Sequence, residues 1–170
     1  MNQNLLILGA GQFGLMVKEI AESMRAFDRI DFLDDNSRLA IGKLADYARL
    51  SGEYMLAIVA IGNPDLRSGW TERLEQAGYS IATLIAPSAY IAPSALLLKG
   101  TIIEPNATVQ ANATVAVGSI ISSGAVIRHN ASVGNYCHVD CNAVVLSGAT
   151  MPDRTKVLPL SCFFAAMGKN

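Results

Sequence analysis

The sequence is poor in charge, in aromatic rings and in cysteine. Charged side chains make up 16% of its 170 residues, with 13 basic against 14 acidic. So even a balance leaves no clustered Lys and Arg to grip a phosphate backbone or an anionic bilayer, which argues against nucleic-acid and membrane-surface partners. The three cysteines, Cys137, Cys141 and Cys162, fall late and are odd in number, so they do not make a disulfide framework, and a reducing cytoplasm is the expected setting. Long apolar runs are also missing. The longest, YMLAIVAIG at 54–62, is less than half of the roughly 20 residues that cross a bilayer. The opening MNQNLLILGAG carries no basic residue before its apolar segment, so no secretory signal is expected. The sequons at Asn106, Asn112 and Asn130 therefore have no weight as glycosylation sites.

What the chain does have is abundant small and apolar residues, arranged in two different orders. Up to residue 84 strands and helices alternate. NLLILGAG, RIDFLDD, YMLAIVAIG and YSIATLI read as strands. QFGLMVKEIAESMRAF has helical spacing at Phe13, Met16, Val17, Ile20 and Met24, and NPDLRSGWTERLEQAG opens a helix with Asn63 and Pro64. Such alternation predicts an α/β, Rossmann-like domain over 1–84, with a parallel sheet and right-handed crossovers.

From Ile85 the order changes to sixes. Thirteen consecutive hexads, IAPSAY to VLPLSC, run to Cys162 without an insertion. Their first residue is always Ile, Leu, Val or Met, and their fifth always Ala, Ser, Thr or Cys. The fifth residue and the next first residue are two apart, so both point to one face of a strand. Gly or Asn fills the fourth position in eight hexads, where a tight corner needs positive φ. The pattern predicts a left-handed parallel β-helix over 85–170, with about eighteen residues per three-sided coil and a little over four coils. FFAA, after the last hexad, is expected to cover its open end.

Chemistry can be placed on this frame. GAGQFG sets Gly9, Gly11 and Gly14 in G-x-G-x-x-G spacing between a strand and a helix. There, glycines let backbone N–H groups approach a diphosphate and the helix N-terminus adds partial positive charge. Asp34 and Asp35, about 20 residues further on, are placed for a ribose or a base edge. A dinucleotide dehydrogenase needs a second substrate domain and a wider sheet; a mononucleotide or nucleotide-sugar ligand suits about four strands better.

His129 and His138 are the only histidines. His129 is third in IRHNAS, on a corner; His138 is sixth in VGNYCH, between inward Cys137 and Val139. Both side chains are expected outside the solenoid, as solvated residues or as site residues. Nine residues is half a coil, so they emerge on different sides and can share a pocket only across a subunit boundary. A homotrimer is expected. CHVDC has ligand-like spacing, but an inward Cys137 argues against a metal site.

LLILGAGQFG, DFLDDN, VAIGNPDLR, LIAPSAYIAPSA and SSGAVIRHNASVGNYCHVD together resemble the bacterial hexapeptide-repeat sugar acyltransferases. That family includes UDP-4-amino-sugar N-acetyltransferases of the bacillosamine type and relatives of sialic-acid O-acetyltransferase. The resemblance spans almost the whole chain. It implies a homotrimeric, acetyl-CoA-dependent acetyltransferase acting on a UDP-linked amino sugar, without a metal. It implies that the nucleotide-sugar meets Gly9, Gly11, Gln12, Phe13, Gly14, Asp34, Asp35, Gly62, Asn63 and Arg67. It implies His129 as general base with Asn130 beside it, and His138, Ser147, Gly148 and Lys156 at the coenzyme. Three departures stand out. Family members usually flank the base with acidic residues, where this chain has Arg128 and Asn130, and Phe13 replaces a polar ring. The β-helix is also short. A nucleotide-sugar-binding or assembly subunit with weak or lost acyl transfer is the alternative.

Overall fold

The computed structural model describes residues 3–164, and the chain divides into two compact units, Met1–Pro87 and Ser88–Asn170. In the first unit, β1 (Leu5–Leu8), α1 (Gln12–Met24), β2 (Ile30–Leu33), α2 (Tyr47–Leu50), β3 (Leu56–Val59), α3 (Pro64–Gln76), β4 (Ser80–Ile81) and β5 (Leu84–Ile85) follow in order. The sheet is parallel, with order β2-β1-β3-β4. All four residues of β1 are buried, as a strand covered on both faces must be. Leu6, Leu8, Leu33, Ala57, Val59 and Leu74 form the core with Tyr54 and Tyr79. The two tyrosines are admitted because each hydroxyl is satisfied: Tyr54 donates to Asp31 Oδ2 at 2.6 Å and Tyr79 to the carbonyl of Tyr47 at 2.6 Å.

Two expectations need correction here. YSIATLI is not one strand: β4 completes the sheet, and β5 is separate. The first helix stops at Met24, because Arg25 turns left-handed at φ 52° and ends the ladder. The helical turn Leu44–Asp46 that leads into α2 had no periodic apolar signal to announce it.

In the second unit two-residue strands recur every six residues, from β6 (Tyr90–Ile91) to β18 (Cys162–Phe163). One face stacks β7 (Leu96–Leu97), β10 (Thr114–Val115), β13 (Ser132–Val133) and β16 (Thr150–Met151). The next holds β8 (Ile102–Ile103), β11 (Ile120–Ile121), β14 (His138–Val139) and β17 (Lys156–Val157). The third holds β6, β9 (Thr108–Val109), β12 (Val126–Ile127), β15 (Val144–Val145) and β18. Every pairing is parallel with an offset of eighteen residues, as a left-handed β-helix of hexads requires. Val109, Val115, Ile121, Ile127, Val133, Val139 and Val145 fill its interior with the alanines of the fifth positions.

The corners explain the fourth position. Every sixth residue from Gly100 to Leu160 has positive φ, between 54° and 74°. Asn106, Asn112 and Asn130, which match sequons, belong to this series; asparagine is the non-glycine residue that best accepts the conformation. Tyr136, Arg154 and Leu160 adopt it as well, although no local preference favours it. There the flanking strands dictate the turn. Above Gly118 the Tyr136 ring takes the space where a Cβ would stand, 2.4 Å from ring Cε1. Arg154 lies over the same ring, 5.9 Å from its centroid. The FFAA segment is only partly described. Phe163 lies in β18 beside Val145, Phe164 is exposed, and residues 165 and 166 lie outside the described residues.

Candidate functional site

In the first unit β1 has β2 on one side and β3 on the other, so the order of strand addition reverses at β1/β3. Open α/β sheets take ligands at this switch point, beyond the carboxyl ends of the strands. The turn 9–11 and the turn 62–63 emerge there. Their glycines are not equivalent. Gly9 has φ 103°, and a Cβ on it would stand 2.8 Å from the carbonyl oxygen of Ala60. A Cβ on Gly14 would stand 2.1 Å from the carbonyl oxygen of Gly9, so Gly14 exists to let α1 pack on the turn. Gly11 has nothing within 4 Å; its missing side chain leaves open space. It caps α1 without any side-chain hydrogen bond, which leaves the first N–H groups of the helix for water or an anion. Gln12 is exposed and Phe13 half-buried beside it.

The other residues expected at the nucleotide mostly hold the loops in place. Asp34 Oδ2 accepts the N–H of Ala10 at 2.8 Å, while Oδ1 accepts those of Asn36 and Ser37 at 2.8 and 2.9 Å. The Ala10 bond first, then that from Asn36, holds its carboxyl below the usual carboxylate range against the opposing cost of burial. Asp35 Oδ1 accepts the N–H of Leu44 at 3.1 Å and is exposed. Asn63 Oδ1 caps α3 through the N–H groups of Asp65 and Leu66, each at 3.0 Å. Gly62 is exposed. Arg67 is 0% exposed, with its guanidinium donating to the carbonyls of Ile61 and Gly62 at 2.9 and 2.8 Å. It thereby braces the turn 62–63. A cleft of about 280 Å³ lined by Lys18, Glu22, Phe27 and Arg29 lies at the amino end of β2, the wrong edge for this chemistry.

On the solenoid the expected residues fall into two groups. His129, Asn130, Ser147 and Gly148 share the corner between the β12 and β13 faces on successive coils, and all four are exposed. The backbone there is tied on both sides. His129 N–H donates to Gln110 Oε1 at 3.1 Å, and Gly148 N–H donates to the carbonyl of His129 at 3.2 Å. Asn130 has φ 58° and its Nδ2 lies 3.2 Å from His129 Nδ1. The amide therefore takes the place beside the imidazole that an acid holds in the resembling family. With the amide nitrogen facing Nδ1, the neutral ring keeps its proton on Nε2; with the amide turned over, Oδ1 accepts Nδ1–H and Nε2 is basic.

His138 and Lys156 sit on a different face, in register on β14 and β17. His138 is half-buried, and its Nε2 lies 3.0 Å from Ser122 Oγ and 3.9 Å from Asp140 Oδ1. Lys156 Nζ is 3.0 Å from Asp140 Oδ2, so its charge is already engaged. Burial works against ionisation of Asp140, but the N–H of Cys141, Lys156 and His138 together hold its carboxyl below the usual range. Cys137 is buried inward and Cys141 exposed; burial first, then Glu104 and Asp140, push the Cys141 thiol up.

Glu104, Ser122 and Asp140 carry no motif in the sequence. They occupy the second position of hexads eighteen residues apart, which stacks them along one edge. That spacing was the available signal.

Residues 4–74 match the PglD N-terminal domain family. No curated protein matches the chain. Among solved structures, the chain is similar to the acetyltransferase domain of PglB from Neisseria gonorrhoeae in complex with acetyl coenzyme A. Identity there is 24% over 92% of this chain and 88% of that one, with a TM-score of 0.69. It is also similar to PerB from Caulobacter crescentus in complex with CoA and GDP-perosamine, at 20% identity over 94% and 88%, TM-score 0.74. WeeI from Acinetobacter baumannii aligns at 15% identity over 93% and 92%, TM-score 0.72. The chain has the fold of the hexapeptide-repeat sugar acetyltransferases. Both units take part in that likeness, in the same order along the chain.

Proposed function

We propose that this protein is an acetyltransferase that moves an acetyl group from acetyl-CoA to a nucleotide-linked amino sugar. The observation that carries this reading is the likeness over 92% or more of the chain to PglB and PerB, whose structures hold acetyl-CoA, or CoA with GDP-perosamine. The residues fit. The first unit, taken as the nucleotide-sugar domain, offers an open Gly11 and an uncapped α1 at the sheet's switch point. A UDP-linked sugar is the expected ligand, with a GDP-linked one the first competitor.

The exposed His129 is the group we assign as base: Nε2 takes the proton lost by the sugar's attacking group as the new bond to the acyl carbon forms. Asn130 orients the ring through Nδ1. Acetyl-CoA supplies an activated acyl carbon with a thiolate leaving group. Ser147 and Gly148 form an open ledge one coil beyond the base, since a Cβ on Gly148 would meet nothing within 4 Å. His138 is assigned to the coenzyme side. Because the two histidines lie on different faces of one solenoid, we further propose a homotrimer in which neighbouring solenoids complete the site.

Acetyl transfer to UDP- and GDP-linked amino sugars is the test. His129→Ala should lower turnover by about 10²–10⁴, the usual size of a general-base contribution, with little change in sugar binding. The amide at Asn130 favours one other reading, a binding or assembly subunit. No transfer to any such sugar, with Asn130→Asp equally inert, selects it.

A further inference from the structure

Glu104 is a carboxylate with 7% exposure, and donors surround it. Ser122 Oγ lies 3.1 Å from Oε1, while the N–H and Oγ of Ser123 lie 2.9 and 3.1 Å from Oε2. Ser122 is shared, because its Oγ is also 3.0 Å from His138 Nε2. A hydroxyl owns one proton. Donated to the carboxylate, it makes a charge-assisted bond, roughly twice as strong as a neutral one. Donated to the imidazole instead, it leaves a buried carboxylate oxygen short of its donor, which is the costlier outcome. The proton therefore goes to Glu104. Ser122 Oγ then faces the ring as an acceptor, and His138 must supply an N–H from Nε2. Asp140 favours the same proton: its Oδ1, 3.9 Å from Nε2, is beyond a hydrogen bond but within electrostatic reach.

We propose that Glu104, acting through Ser122, is a positioning residue that holds His138 in the Nε2–H tautomer. In the neutral ring the lone pair is then on Nδ1, and Nε2 cannot serve as a base. The two histidines thereby differ in kind. His129 has an amide that can turn over beside it, whereas His138 has a relay anchored on a buried charge. The tautomer stands on the solenoid's own geometry; only its consequence, a His138 whose Nε2 cannot take the substrate proton, rests on the proposed acetyl transfer.

Because the chain has two histidines, isotope-labelled His129→Gln protein reports on His138 alone. Long-range proton–nitrogen correlation spectra, recorded near pH 8.5, about two units above the ordinary histidine value, read the tautomer directly. The expected spectrum has a protonated-type Nε2 and an unprotonated-type Nδ1. Ser122→Ala and Glu104→Gln should move both nitrogens toward the averaged values of an unbiased imidazole, while Ser122→Thr, which keeps the hydroxyl, retains the pattern. An Nδ1–H pattern before any relay substitution, or a pattern unchanged by both Ser122→Ala and Glu104→Gln, overturns the proposal. Should those two variants lose their circular-dichroism signature of folding, the parent spectrum and Ser122→Thr decide it. No coenzyme is added, so absence of acetyl transfer would sink the functional reading and leave this result standing.

Discussion

At the scale of single residues, the site depends on groups whose neighbours differ sharply. Asn130 keeps the left-handed corner and reaches His129 Nδ1 at 3.2 Å. Replacing it by Asp should preserve the corner, since Asp tolerates that conformation almost as well. A carboxylate there only accepts, so it selects Nδ1–H and leaves Nε2 free to take a proton. Asn130→Asp should therefore raise acetyl transfer near neutral pH, with steady-state kinetics as the measurement; unchanged or lower turnover would argue against His129 as base. The glycine turn separates in the same way. Gly11→Val meets only open space and should cost no more than about 1 kcal/mol at a cap position, while blocking a nucleotide-sugar. Gly14→Val drives a Cβ into the carbonyl of Gly9 and should unfold the first unit. Thermal melts alongside ligand titration check both, and wild-type affinity in Gly11→Val would move the ligand away from the turn.

At the scale of elements, each solenoid coil is a stack of two-residue strands with one large inward side chain per strand. Ile127 is fully buried between Val109 and Val145 of the neighbouring coils. Ile127→Ala leaves a hole that corners tied to the coils above and below cannot close, and should cost about 2–5 kcal/mol. Chemical denaturation of the wild-type and variant proteins measures this. A loss under about 1 kcal/mol would mean that the coils slide to fill the space, contrary to the close packing expected of a buried site. The same rigidity serves the chemistry, because the carbonyl of His129 is tied to the next coil by Gly148 and its N–H to Gln110.

At the scale of the whole molecule, acid stability and assembly are the readable properties. Asp34, Asp140 and Asp153 all have carboxyl groups held below the ordinary range. A depressed folded value means that the native chain keeps these groups ionised after the unfolded chain has begun to bind protons. Their contribution to stability is complete above the unfolded value, about 3.9 for Asp, and is lost as pH falls below it through the folded values. Melting temperature should thus hold steady from neutrality down to about pH 4.5 and drop beneath it; Asp34→Asn should flatten that drop. The proposed trimer is tested by light scattering at micromolar protein. A monomer would leave His129 and His138 on separate faces and remove the shared site.

The repeat of six by itself determined the solenoid, its three-sided coil and the outward direction of both histidines, because strand alternation and corner geometry are local. The same locality made the glycine turn and the Asn63 cap legible. What lay beyond reach was decided by stacking. Arg67 is a substrate-binding residue by resemblance, and its burial against the carbonyls of Ile61 and Gly62 is written nowhere in VAIGNPDLR. YSIATLI reads as one strand, yet only its first part adds to the sheet. Glu104, Ser122 and His138 are far apart in sequence and carry no motif. They meet because parallel coils place Glu104 and Ser122, eighteen apart, side by side, and bring His138, sixteen beyond Ser122, against the same hydroxyl, where burial makes one shared proton decide which nitrogen of His138 is protonated.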